Sequence, residues 1–246
     1  PLQDYCLTDN IYIKMNSRGK HLTKYEIYKS NLADQIENVS QNVSNIDALK
    51  EKEGFVKKLD TNYTDMIWQN VNKKANEVDN GFIYLLTNIH AIQHFLKNTT
   101  KFSGNHEVTM ASYADYTLVK DILDSYYSLC QDKEFNDFWN KIFYTNPSDA
   151  IKNSQYKKDK ILLFNQINTS ILSHALKEQL SYAKLLYFYA IYLYAYHKVE
   201  MSDFIVRVRQ LRNLISNSND EIRFENMQTM LKDTKNLIVY GKLPVK

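Results

Sequence analysis

A few groups of side chains in this 246-residue chain have types and spacings that could do chemistry. The run Asn16-Ser17-Arg18-Gly19-Lys20 sets two cations in a polar turn directly before a helix start. Unpaired N–H groups at a helix N-terminus carry partial positive charge, so together with Arg18 and Lys20 they could hold an anion. Gly19 would permit the turn and Asn16 would hold it by side-chain hydrogen bonds. A solvated polar turn is the plainer reading. Arg207, Arg209 and Arg212 crowd together in sequence, and Arg209 and Arg212 share a helix face. Guanidinium forks match phosphate geometry, so nucleic-acid contact is one reading and an ion-paired face the other. His90 and His94 are spaced to lie on one helix face, but Ala91, Ile92 and Gln93 supply no acid between them. A zinc site needs further ligands, so a half-buried helix face is the default. No serine, histidine or aspartate stands in a nucleophile-elbow context.

The elements that must position these residues are helical. Gly and Pro are scarce, at 5 and 3, which disfavours hairpins and phosphate-cradling loops. Thr23 and Glu26 form a capping box at a helix start, flanked by Leu22 and Ile27 at the staple positions. Apolar residues at helical spacing mark further helices over residues 55–71, 82–96, 118–129, 161–176, 180–199 and 220–240, with a weaker stretch at 37–50. Ser202 is the expected cap of a helix running from Phe204 to Ile215. The helix at 180–199 is apolar nearly all round and should be central. Its tyrosines, Tyr182, Tyr187, Tyr189, Tyr192, Tyr194 and Tyr196, have lysines only at the ends of the segment, so core packing is expected over base stacking. Trp68 and Trp139 also sit on apolar faces and are expected in the core. Residues 11–15 alternate like a short strand, and residues 146–149 read as a turn. The fold class is therefore all-α: an irregular multi-helix array with at most a short strand near the N-terminus. The polar stretch at 98–112 is the best internal break, dividing residues 1–100 from residues 101–246.

Bulk composition narrows the classes. Lys and Arg number 31 against 28 Asp and Glu, for a net charge of +3, too balanced for a surface that coats nucleic acid by charge alone. Cys6 and Cys130 stand far apart in no metal-binding pattern, which fits free thiols in a reducing cytoplasm. The N-terminal residues lack a signal-peptide pattern, and no segment reads as a membrane span. The first residue is Pro1, which suggests a piece of a longer chain.

The run Ile11-Tyr12-Ile13-Lys14-Met15-Asn16-Ser17-Arg18-Gly19-Lys20-His21-Leu22-Thr23, followed by Tyr25, Glu26 and Lys29, resembles a signature of the GmrSD-type restriction endonuclease family. That signature is a hydrophobic stretch, then Asn-x-Arg-Gly-x-x-Leu-Thr, then a helix with an acid and a lysine. The stretch from Lys58-Leu59-Asp60 to Trp68, and the run Arg207-Val208-Arg209-Gln210-Leu211-Arg212-Asn213-Leu214-Ile215, are similar to longer members. The resemblance implies a parent protein with a ParB-like N-terminal domain, which binds nucleotide or senses modified DNA, and a downstream HNH-type nuclease. The Asp-Gly-Gln-Gln-Arg motif of the first and the His-centred segment of the second do not occur here. Residues 1–100 would then hold the end of the ParB-like domain and the first helices, and residues 101–246 a helical subdomain. The expected function is helical support of a nucleotide- or DNA-binding site, with Asn16, Arg18, Gly19 and Lys20 as anion-binding positions and no catalytic or metal-ligating residue in this stretch. A nucleoside triphosphate with a divalent metal is implied for the parent protein, not for these residues. Expected partners are the ParB-like and nuclease segments of the same chain, and DNA. A non-enzymatic helical protein-interaction module is the competing reading.

Overall fold

The first helix of the described residues starts just after Thr23, and the capping box expected there is closed. The Thr23 backbone N–H donates to Glu26 Oε2 at 2.6 Å, and the Glu26 N–H donates to Thr23 Oγ1 at 3.2 Å. Two otherwise orphaned donors are satisfied reciprocally, which fixes the start of helix α1, Lys24–Gln41. The computed structural model describes residues 23–41, 46–71, 75–104, 113–131, 138–139, 142–145, 161–162 and 170–243. The strand expected at 11–15, the site residues at 16–20 and the turn at 146–149 lie outside them.

The described residues are all-α, as expected. After α1 come α2 (Ile46–Asp60), α3 (Asn62–Asn70), α4 (Ala75–Lys97), α5 (Tyr113–Gln131), the short α6 (Ile171–Ala175), α7 (Tyr182–Tyr196), α8 (Met201–Asn217) and α9 (Met227–Tyr240). One two-residue antiparallel pairing interrupts the helices, joining β1 (Tyr144–Thr145) to β2 (Ile161–Leu162). None of the helices among the described residues is long and apolar enough to cross a membrane.

Three boundaries differ from the sequence reading. The helix expected over residues 161–176 is instead β2 and, after Ser170, α6. Ser170 caps α6 by accepting from the Ser173 N–H at 3.1 Å, so helix starts there and not at Ile161. A short apolar run has no period of its own to distinguish strand from helix. The apolar face at residues 55–71 is split at Thr61, whose backbone leaves the helical region with φ −118° and ψ −87°. Ser202 is not a cap, because α8 starts at Met201 and Glu200 holds the N-cap position without a side-chain bond.

Helix α7 is central, as its all-round apolar sequence requires. Every residue from Leu185 to Leu193 is buried. It packs chiefly against α9 and α5, and also against α6 and α8. Tyr126 of α5 stacks on Phe188 with centroids 4.5 Å apart, and its hydroxyl donates to the Phe188 carbonyl at 2.8 Å. Burying the ring while satisfying its hydroxyl avoids the desolvation cost of an orphaned phenol. Helix α4 is the second spine and touches α1, α3, α5, α6 and α9. Gly81 lets it come close to α3, because a Cβ there would stand 2.9 Å from Ile67 Cγ2. Among the described residues one buried apolar cluster takes in side chains from Tyr25 to Ile238.

Trp139 is buried as expected, but Trp68 is 41% exposed. The buried face of α3 is carried by Tyr63, Met66 and Ile67, and one further residue turns the Trp68 indole about 100° away from it.

Candidate functional site

The residues singled out by sequence fall in three places. Asn16, Arg18, Gly19 and Lys20 lie outside the described residues. The first turns of α1, next in the chain, are firmly anchored. Tyr25 stacks on Phe82 of α4 at 4.1 Å, with the rings 14° from parallel. The Tyr28 hydroxyl lies 2.5 Å from His90 Nε2, and His90 Nδ1 lies 2.7 Å from Gln93 Oε1. Lys29 pairs with Asp60 at the end of α2. The N-terminal part of α1 and the end of α2 are therefore joined by an ion pair. The second is braced again by Lys58, 2.7 Å from Asp124 Oδ1, which also accepts from the Tyr63 hydroxyl at 2.9 Å. Burial raises the Asp124 pKa, but the hydrogen bonds from Lys58 and Tyr63 outweigh it and leave the carboxyl below the usual carboxylate range.

Two features near the start of α1 are unfilled. The Tyr25 hydroxyl is buried without a hydrogen-bond partner. Ile27, expected to staple onto Leu22, is 48% exposed, and Leu22 is outside the described residues.

His90 and His94 do not converge. His90 is committed to Tyr28 and Gln93, and burial lowers its pKa, which favours the neutral ring. His94 Nε2 lies 2.8 Å from the Thr100 carbonyl oxygen. Among the described residues no group of three or more His, Cys, Asp or Glu is placed to hold a metal ion.

The three arginines have separate environments. Arg207 Nη1 donates to the carbonyls of Ile238 and Val239, at 2.9 and 3.2 Å, and Nη2 reaches Asp203 Oδ2 at 2.6 Å. Arg212 is half-buried, with a long 3.4 Å contact from Nη1 to Asn213 Oδ1. Arg209 is exposed. Arg207 thus spends its donors on the protein, and Arg209 has no such partner among the described residues.

Two recesses flank α7. One, of about 200 Å³, is apolar and lies between α7, α8 and α9, with Leu186, Leu211, Leu214, Met230 and Leu237 in its lining. The other, of about 670 Å³, lies between the C-terminal half of α7 and one face of α9. Tyr189, Tyr192, Tyr196 and His197 line one side and Lys232 and Lys235 the other. The tyrosine rings form a ladder, with centroids 5.8 Å apart from Tyr189 to Tyr192 and 5.4 Å from Tyr192 to Tyr196. Sequence reasoning missed this arrangement. Core packing does hold for Tyr187, Tyr189 and Tyr192, which are buried, but Tyr196 is 48% exposed. The missing lysines come from a helix more than thirty residues further along. Comparison of the chain with protein-family models, with curated proteins and with solved structures gives no match.

Proposed function

We propose that this chain is the helical portion of a GmrSD-like restriction protein. It supports a nucleotide- or DNA-binding site at residues 16–20 and relays the state of that site to a nuclease segment elsewhere in the same protein. Arg18 and Lys20 bind the anion, Gly19 permits the turn and Asn16 holds it. The observation that carries this reading is the closed capping box at Thr23 and Glu26, which begins α1 at the last residue of the resembling run. A helix N-terminus so fixed, directly after two cations, is a frame on which phosphate can be held. The core contacts of Tyr25 and Tyr28 and the Lys29–Asp60 pair connect that end of α1 to α4 and α2. The buried, unpartnered Tyr25 hydroxyl also fits, because such groups normally find a partner. The test is phage plating on cells that carry the gene. Wild type should restrict plating, and Arg18→Glu with Lys20→Glu should restore it. Equal plating with wild type, double variant and empty vector would overturn the reading.

A second reading, a non-enzymatic interaction module, draws on the apolar recess between α7, α8 and α9. At about 200 Å³ it admits a side chain or two, below the roughly 300 Å³ at which ligand pockets begin. Crosslinking from Met230→Cys in cells separates the readings, since a discrete crosslinked partner would favour an interaction module.

A further inference from the structure

We propose that the cleft between α7 and α9 binds a nucleotide unit, with its base against Tyr196 and its phosphate held by Lys232 and Lys235.

Lys232 and Lys235 are three apart on α9 and both exposed, so they share one helix face and repel each other. Neither has an ion pair or hydrogen bond among the described residues. Asp233, between them in sequence, lines the apolar recess on another side of α9. Asp121 of α5 lies near enough to Tyr192 to act on its hydroxyl but does not line the cleft. Two neighbouring cations with no acid among the described residues of their cleft are an arrangement that an anion would relieve.

The opposite wall says what kind of anion. Tyr189, Tyr192 and Tyr196 follow one another up a single face of α7, and each ring leans on the next at 37° and 38°. The two lower rings are buried and hold the ladder, while Tyr196 ends it with a face open to solvent. His197 stands edge-on to Tyr196 at 5.1 Å and closes one side. An aromatic face beside paired cations is the combination that takes a base and its phosphate together. A bare phosphate would use the lysines and leave the tyrosine idle. The volume, about 670 Å³, falls within the range of roughly 300–1,000 Å³ common for small-ligand sites. Gln228 and Thr229 add amide and hydroxyl groups to the lysine wall.

The same nucleotide unit could be free or part of a single strand, and two probes distinguish these. One is ATP without added metal, followed by calorimetry; the other is a short fluorescein-labelled oligothymidylate, followed by anisotropy. Binding of ATP alone assigns a free nucleotide, and binding of the oligothymidylate assigns a strand. In either case Lys232→Glu with Lys235→Glu should weaken binding by about tenfold or more. Tyr196→Ala should weaken it by about tenfold, with Tyr196→Phe close to wild type, because stacking uses the ring and not the hydroxyl. All these positions are exposed, and circular dichroism with urea unfolding checks that the variants fold. Every titration is repeated in an Arg18→Glu, Lys20→Glu background, which removes anion binding at residues 16–20 and leaves the cleft side chains in place, so failure here and failure of the restriction reading are separable. Three results would overturn the proposal: no binding of either probe, binding indifferent to the lysine reversals, or loss with those reversals but not with Tyr196→Ala. The last would describe a plain anion site.

Discussion

Arg207 Nη1 lies 2.9 Å from the carbonyl oxygen of Ile238, so a side chain of α8 caps the C-terminal end of α9. The same nitrogen reaches the Val239 carbonyl, and Asp203 holds the guanidinium from its other side. Helix C-termini leave carbonyls without intrahelical partners and carry partial negative charge, so a cation there is doubly favourable. Gly241 completes the end in the left-handed conformation, φ 66°, with the Lys242 N–H donating back to the Asn236 carbonyl. Arg207→Ala should destabilise the fold by about 1–2 kcal/mol, because the bonds are charge-assisted but the site is partly solvated. Arg207→Lys should fall between, since an ammonium lacks the fork. Urea midpoints of the three proteins check this, and an Arg207→Ala midpoint equal to wild type would remove the capping role.

Asn88 of α4 has a larger predicted effect. It is fully buried, and its amide donates to the Ala175 and Glu178 carbonyls at 3.1 and 3.0 Å. Its Oδ1 accepts from the Leu180 N–H at 2.8 Å. One side chain thus satisfies the backbone between α6 and α7. Asn88→Leu would leave these backbone groups short of partners at about 1–3 kcal/mol each, with partial relief from water. The expected loss is about 3 kcal/mol. Asn88→Asp keeps the acceptor and loses both donations, so it should also destabilise. If Asn88→Leu unfolds at the wild-type urea concentration, the backbone is paired some other way.

The helices were legible in sequence wherever a period of 3.6 ran long or a cap was written out. Thr23 and Glu26 fixed one start, and the unbroken apolar run around Phe188 fixed the central helix. What failed was local competition and distant pairing. Ile161 and Leu162 belong to a strand because of Tyr144 and Thr145, which no periodicity can reveal. Trp68 looked like core until Met66 and Ile67 took the buried face. For the candidate sites, Asn16, Arg18, Gly19 and Lys20 were singled out by type and spacing and lie outside the described residues. The Tyr196 cleft was invisible because its cations lie on α9, and side chains that meet only through the fold leave no spacing in the sequence. Arg207 left phosphate contact and an ion-paired face both open in sequence, and its position shows it paired with Asp203 and capping α9.

Lys198 offers a stabilising substitution. It has φ 50°, the only non-glycine with a positive φ among the described residues. It comes just after the end of α7, where the Val199 N–H donates to the Tyr194 carbonyl at 3.1 Å, the bond that commonly places glycine at this position. A side chain there crowds its own carbonyl by about 1 kcal/mol. Lys198→Gly should therefore raise stability by up to about 1 kcal/mol, offset in part by the greater freedom of glycine in the unfolded chain. Lys198→Val should lower it, because a β-branched residue tolerates positive φ worst. Thermal melts of the pair settle the sign, and a destabilised Lys198→Gly would mean that the lysine side chain makes a contact worth more than the strain.

His90 makes stability depend on pH in a predictable direction. Burial lowers its pKa from the ordinary 6.5, against weaker opposing effects from the Gln93 hydrogen bond and the charge of Asp115. Below pH 6.5 the unfolded chain binds a proton at this ring before the folded one does, so acid favours unfolding. The contribution is fully present above the unfolded pKa and is lost as pH falls through the folded one. His90→Gln keeps hydrogen-bonding capacity toward Tyr28 and Gln93 and removes the titration. Between pH 7 and pH 5 the wild type should lose more stability than His90→Gln, whatever carboxylates elsewhere contribute to both. Parallel acid-dependence curves from urea unfolding would mean that the ring is protonated equally in the two states. The Tyr28–His90–Gln93 chain would then be open to water, not part of the core.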